Sequence, residues 1–519
     1  MIGRTLSRRH FLHGAAVAGA AAVAGPRLSW SAEGGVFRMA NYGDLQVLDP
    51  AFTISAAENT IYELIYHRLV RFKGAESTEA GLDAAESITQ VDDTHIEFTL
   101  KKGIMWSNDF GELTAEDVKF SYERIADPAM ESPYSGNWAA LDHVEVTGSH
   151  SGVIVLKEFS ATLWTIALPG SSGYIVCKKA VEALPEKKYT TEAPALSGPY
   201  MIAEWTPKQR TILKPNAAWT GAKQAFDEFR VLPIEDASAA ELAYEAGDID
   251  FTRITLSTLG RYRKEGTPAG SKLIDMPSLA YVWVGMNVDN PALADIRVRK
   301  AIQRAVDVAG AVEAAYFGVA APATGIVADT LIGHRNQPPM QRDVEAAKAL
   351  LAEAGVSDLT LTLDINLETE NLTIGQVVQA SLAEIGINVV INQRDSATFW
   401  TLGDQSAGDQ WKDMQLYLNR FSMDPDPSYA TEWFTCEQVG VWNWERVCNP
   451  EFDKLHVAAK SEKDVAKRAE MYEKAQTLME DSGAYVFLTH ERIGYIYRDK
   501  FSVVVNPAGD PLTGKFGNA

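Results

Sequence analysis

Between Leu359 and Gln393 an apolar run, a longer amphipathic run and a second apolar run follow one another with almost no spacing. Leu359 to Ile365 reads as a buried strand, Leu372 to Ile385 as a helix and Ile387 to Gln393 as another strand. A strand–helix–strand unit of this length returns by a right-handed crossover, which sets its two strands parallel in one sheet. This stretch therefore commits the chain to the α/β class. Two more helices precede it, Arg297 to Tyr316 and Val344 to Ala354, the second stopped by Gly355.

The earlier half is more mixed. Val36 to Ala40 has strand character and runs into the polar loop Asn41-Tyr42-Gly43-Asp44, and a helix is expected from Ala56 to Arg71. Alternation from Thr94 to Leu100 predicts a strand with one wet face. Thr114, with Asp117 three residues on, predicts a capped helix start. Two strands are expected in Val144 to Lys157, a hairpin from Ser197 to Leu213, a helix from Ser238 to Ala246, and strands at Asp248 to Phe251 and Tyr281 to Asn287. A chain of 519 residues exceeds one compact core, so two or three structural units are expected, in lobes of different character.

The first 31 residues read as an address rather than as fold. Ser7-Arg8-Arg9-His10-Phe11-Leu12 precedes a weakly apolar stretch from Gly14 to Gly25, and Ser29-Trp30-Ser31 offers small residues for cleavage. That is the pattern of a twin-arginine secretory signal. Twelve residues rise only about 18 Å as a helix, short of a bilayer core of roughly 30 Å. The expected destination is the periplasm, reached through the twin-arginine translocase, as a free protein with no lipid anchor. Beyond residue 31 the chain keeps 44 basic against 69 acidic side chains, a net charge of −25. Such a surface repels nucleic acid and anionic lipid.

Signs of catalysis are absent from the pattern. There is no Gly-x-Ser-x-Gly elbow, no phosphate-binding glycine loop and no paired-histidine metal motif among the nine histidines. No cofactor or metal site is expected. Three cysteines occur: Cys177 lies in an apolar run, while Cys436 and Cys448 form either a disulfide or two buried thiols, with the disulfide favoured in an oxidising compartment. Trp433, Phe434, Trp442 and Trp444 crowd into twelve residues among polar neighbours. They form either core or an aromatic wall for a ligand, with Trp444 a candidate contact.

Several segments, taken in order, resemble the periplasmic solute-binding proteins of ABC importers, in the dipeptide- and oligopeptide-binding family (family 5). They are Leu48-Asp49-Pro50; Phe98 to Trp106; Leu113-Thr114-Ala115-Glu116-Asp117-Val118-Lys119-Phe120-Ser121; Ala126-Asp127-Pro128; Ser132-Pro133-Tyr134; Ser197-Gly198-Pro199-Tyr200; Gly247-Asp248-Ile249-Asp250; Asp295 to Ala301; and Ala346 to Gly355. The resemblance implies an α/β, two-lobed flytrap (type II periplasmic-binding-protein) fold with an extra domain inserted in the first lobe. Residues 32–280 would form the first lobe with the insertion at about 75–190. Residues 281–485 would form the second lobe, and 486–519 would return to the first. It implies a monomer that captures a small polar solute without chemistry and delivers it to an ABC-importer permease in the inner membrane.

The resemblance also locates the expected ligand contacts, and the chain departs from the family at some of them. Where dipeptide-binding relatives hold the peptide ammonium on an aspartate three residues before an Asp-Pro pair, this chain has Phe421 before Asp424-Pro425. The arginine that holds the dipeptide carboxylate is missing near Leu372-Thr373. Tyr42, Asp44, Tyr134, Arg253, Arg420, Phe421, Asp424 and Trp444 remain as candidate ligand contacts. Arg253 and Arg420 are suited to a carboxylate or phosphate, unless each is used in a salt bridge. A peptide, an opine-like compound or another amino-acid conjugate is the expected solute. The alternatives are a secreted carbohydrate- or ester-acting hydrolase and metal-chelate capture.

Overall fold

The structure is a computed structural model that describes residues 35–53 and 56–519; the signal expected at 1–31 lies outside the described residues. Ten strands make the central sheet: β1 Val36–Asn41, β2 Tyr200–Thr206, β3 Arg210–Pro215, β4 Glu228–Pro233, β5 Phe251–Ile254, β6 Ser271–Met286, β7 Thr360–Asn366, β8 Asn388–Arg394, β9 Leu416–Ser422 and β10 Tyr485–Arg498. Their spatial order is β2-β3-β4-β1-β5-β10-β6-β9-β7-β8.

The segment Leu359 to Gln393 folds as its pattern requires. β7 and β8 pair in parallel from Thr360↔Asn388 to Asn366↔Arg394, and the helix Thr369–Ala383 joins them. That helix buries Ile374, Val378 and Leu382 against Leu361, Leu363 and Val389, which makes the crossover a packed layer. The helix Val344–Ala354 ends on Gly355 at φ 69°, a conformation open to glycine at no steric cost.

Two expected helices are shorter than their patterns. The helix from Ala56 stops at Ile65 instead of Arg71, and strands follow at His67–Arg68 and Val70–Gly74. The carbonyl of Ile65 accepts from Ser197 and Gly198 N–H, so tertiary partners satisfy the helix end, while Val70 and Phe72 alternate inward as strand residues. The span Arg297 to Tyr316 is broken into Ile296–Ala305 and Val308–Tyr316. Asp307 accepts from Gly310 N–H at 3.0 Å and caps the second helix.

A four-stranded antiparallel sheet, in the order Ala85–Gln90, His95–Leu100, Ser151–Leu156, Leu141–Gly148, stands apart from the central sheet. The helix Ala115–Ala126 packs on it and opens with Asp117 accepting from Thr114 N–H at 2.9 Å. Ile96, Phe98 and Ile154 of this sheet, with Trp138 from the turn after the helix, join Phe37 and Met39 of β1 in one continuous core.

β6 and β10 are the long members, of 16 and 14 residues, and they carry the chain through the middle of the sheet. Their antiparallel ladder slips between Pro277↔Arg492 and Tyr281↔His490. On one side of the slip β10 pairs with β5, and on the other β6 pairs with β9. The ladder slips again between Val282↔Thr489 and Trp283↔Phe487, so the sheet has two halves joined across one irregular stretch. Among the described residues no helix is long and apolar enough to cross a membrane.

Candidate ligand cleft

A cleft of about 360 Å³ opens where β1, β5, β9 and β10 approach one another near that slip. Tyr42 enters it from the end of β1, Arg253 from β5, Arg420 from β9, and Glu491 and Tyr495 from β10, with Glu368 and Tyr316 on the far wall.

The two arginines differ in what they touch. Arg420 bonds Glu491 Oε2 through Nε at 2.9 Å and Nη2 at 2.7 Å, and Nη1 reaches Ser422 Oγ at 3.3 Å. Its charge is neutralised inside the protein. Arg253 sits in register opposite Tyr495 and is exposed to the cleft. Among the described residues no carboxylate lies within ion-pair distance of its guanidinium; it faces the phenols of Tyr42 and Tyr495 and, farther off, Asp510. Burial pushes the Glu368 carboxyl upward, so its charge is held back in the same space.

Asp424 and Tyr134 meet beside the cleft. Burial raises the Asp424 carboxyl to about 7, with Asp510 and Asp426 adding to the effect. Burial and the neighbouring Asp424 raise the Tyr134 phenol to about 12, against a hydrogen bond from Ser171 that lowers it. Two residues along, Asp426 is satisfied: Arg468 Nη2 bonds both its oxygens at 2.7 and 2.8 Å, and Thr165 Oγ1 donates to it at 2.7 Å.

Other expected contacts go elsewhere. Asp44 accepts from Leu45 N–H at 2.8 Å, Trp205 Nε1 at 3.4 Å and Lys208 N–H at 2.6 Å, so it pins its loop to the β2–β3 turn and does not line the cleft. Trp444 is 1% exposed, packs with Phe399, Leu402, Met414 and Tyr417, and donates to Val441 O at 3.0 Å; it belongs to the core. Phe421 points to the face of β9 opposite Arg420. There it meets Trp283 at 5.0 Å, Trp442 at 6.0 Å and Trp433 at 6.3 Å. The aromatic group is thus mainly core with a half-exposed rim, beside the Cys436–Cys448 disulfide.

Glu491, Tyr495 and Asp510 went unnoticed in the sequence. Asp510, which lines a smaller cavity beside the cleft, sits in a tight turn with its own N–H on Asn506 Oδ1 at 2.8 Å, and nothing local marks its position.

Comparison with known proteins adds lineage to geometry. The family model "Bacterial extracellular solute-binding proteins, family 5 Middle" matches residues 80–440, and the twin-arginine translocation signal model matches residues 5–25. The chain is 28% identical over 464 residues to the probable D,D-dipeptide-binding periplasmic protein DdpA of Escherichia coli, covering 86% of each. It is 25% identical over 483 residues to the oligopeptide-binding protein AppA of Bacillus subtilis, covering 88% of this chain and 86% of that one. Among solved structures, the ABC transporter substrate-binding protein CtaP of Listeria monocytogenes superposes with a TM-score of 0.82 at 21% identity, covering 94% of this chain and 99% of its own.

Proposed function

The chain belongs to the bacterial extracellular solute-binding proteins of family 5, and we propose that its cleft takes a small zwitterionic solute of the peptide or amino-acid-conjugate class, with the solute's carboxylate on Arg253. Its twin-arginine signal sends it to the periplasm, where members of this family serve ABC importers. In this reading the protein acts as a monomer, performs no chemistry on the solute and passes it to the permease. Residues 32–280 and 486–519 form the first lobe, with 75–190 an elaboration of it, and residues 281–485 form the second. The lobes bend at Pro277–Tyr281 and His490–Arg492, where the ladder slips, and contacts made from both sides favour closure.

One observation carries the reading: an exposed guanidinium with no carboxylate partner among the described residues stands in the cleft, 167 residues before an arginine that is already paired. A free guanidinium binds a carboxylate through two parallel hydrogen bonds. The relatives that carry peptide-binding names support the solute class. Thermal-shift screening of solute-free protein against peptides and amino-acid conjugates tests it. Free acids should raise the melting temperature, their C-terminal amides should not, and Arg253→Ala should abolish the response. Equal stabilisation by acids and amides would overturn it.

A further inference from the structure

Outside the cleft, the elaboration at 75–190 touches the second lobe along one patch. Thr165 Oγ1 donates to Asp426 Oδ2 at 2.7 Å. Ala161 N–H donates to the carbonyl of Lys460 at 3.0 Å. Asp93 and Lys463 form an ion pair, and the Lys463 ammonium stands 5.6 Å from the centre of the Phe159 ring. We propose that this patch is a clasp: it holds the two lobes together from outside the cleft and biases the protein towards the closed form before solute arrives. The inference rests on the lobe division above and gives the elaboration a part in closure.

Each side of the patch is built independently of the other. On the second lobe, Asp426 is fixed by its own neighbours: Arg468 Nη2 bonds both oxygens, and Ser428 gives Oδ1 its N–H at 2.9 Å and its hydroxyl at 2.7 Å. Thr165 completes Oδ2 from across the patch. The helix Pro450–Ser461 ends here, and its last carbonyls have no partner within the helix, so Lys460 O is a ready acceptor. On the other side, Ala161 leads into the short helical turn Leu163–Ala167 that carries Thr165, and Trp164 Nε1 ties that turn to Gln90 Oε1 at 2.9 Å. Gln90 ends the strand Ala85–Gln90, and the turn that follows it carries Asp93. The two donors and the acidic side chain therefore sit on one braced surface and meet their partners together.

The contacts suit a bias rather than a lock. When the lobes part, Asp426 keeps Arg468 and Ser428, while Lys460 O and Ala161 N–H reach water. Lys463 and Asp93 are already 54% and 66% exposed. Opening orphans no charge, so each contact counts only by the small difference between a protein partner and a water partner. Among the described residues, none from 75–190 lines the cleft of about 360 Å³. A change at Asp93 or Lys463 therefore reaches the solute through lobe movement and not by touching it.

Hydrogen exchange and small-angle X-ray scattering of the solute-free protein test it, with no solute required. Asp93→Lys sets two ammonium groups against each other at an exposed site, and Thr165→Val deletes one hydroxyl at nearly constant shape. Each should enlarge the radius of gyration and speed exchange of the Ala161 N–H by about tenfold, the scale of one lost charged contact. Asp93→Lys with Lys463→Asp rebuilds the pair in reverse and should bring exchange back to within about threefold of the original protein. An effect of Asp93→Lys that the swap does not reverse overturns the clasp. If Ala161 exchanges far faster than the central strands yet ignores both single variants, the lobes part without help from the patch; the clasp falls and the lobe division stands. If Ala161 exchanges only as slowly as the central strands in every protein and the radius never changes, the lobes do not part, and both fall.

Discussion

The Arg420 wall of the cleft and the Arg253 wall present the same charged group to the same space and use it differently. On the Arg420 wall the guanidinium is consumed by Glu491 and Ser422. On the Arg253 wall it faces phenols and open cleft. The loop after β9 repeats the contrast at two-residue spacing: Asp426 is saturated by Arg468, Ser428 and Thr165, whereas the Asp424 carboxyl has no hydrogen bond among the described residues. A buried charge costs several kcal/mol unless it is paired. Groups the protein has paired are therefore part of its framework, and groups it has left open are the ones a ligand can complete. Residue type does not distinguish the two; partners do.

Arg468→Ala should break this contrast most visibly. It strips the buried Asp426 of its counter-charge and should cost about 3–5 kcal/mol of unfolding free energy, read by denaturant titration. Arg253→Ala should do the reverse: no change in the stability of the solute-free protein, and a loss of about 2–5 kcal/mol in binding a carboxylate solute, read by calorimetry. If Arg253→Ala unfolds the protein, or Arg468→Ala leaves stability unchanged, the division between framework and ligand charges fails.

A carboxyl in the core sharpens it further. Glu445 is fully buried, accepts from Trp283 Nε1 at 2.6 Å, and is raised by burial to about 7. Its folded-state value lies above the unfolded one near 4.5, so the native state holds the extra proton between those two pH values. Stability therefore falls as pH rises through that window, by about 3 kcal/mol. Glu445→Gln keeps the neutral hydrogen bonding and should remove this fall. The buried His456, lowered to about 4 by burial, acts with opposite sign, gaining stability from pH 4 to 6.5, and cancels in the difference between the two proteins. Identical pH profiles for both proteins would show that Glu445 does not titrate.

Much of the fold was legible because it rests on local periodicity. The crossover from Leu359 to Gln393 needed only two apolar runs and the helix between them, and the cap at Thr114 needed only a spacing of three. The helix ends at Ile65 and Ala305 were not legible, since Ser197 and Gly198 close the first from more than 130 residues away and the second breaks at a single Asp cap. The candidate site was half legible for the same reason. Arg253 and Arg420 could be named from their segments, but Glu491 lies 71 residues from Arg420, so sequence could not say which arginine was taken. Trp444 shows the converse error. Tryptophans among polar neighbours suggested a wall, yet the flanking Asn443 and Glu445 are buried with the indole, Asn443 donating to backbone carbonyls and Glu445 accepting from Trp283.

The smallest expected effect tests the comparison from its weaker side. Arg420→Ala removes the pair with Glu491, but the arginine side chain is 39% exposed and cleft water screens the charge. The loss of stability should be only about 1 kcal/mol. Glu491, freed of its partner, then places a bare carboxylate in the cleft with Arg253. Binding of an anionic solute should weaken by less than about tenfold through that repulsion, and Arg420→Ala with Glu491→Gln should restore it. Full loss of binding in the single variant without rescue in the double would mean that Arg420 itself touches the solute. In that case the Glu491 pair orients the guanidinium for the ligand, and the two walls differ in rigidity rather than in role.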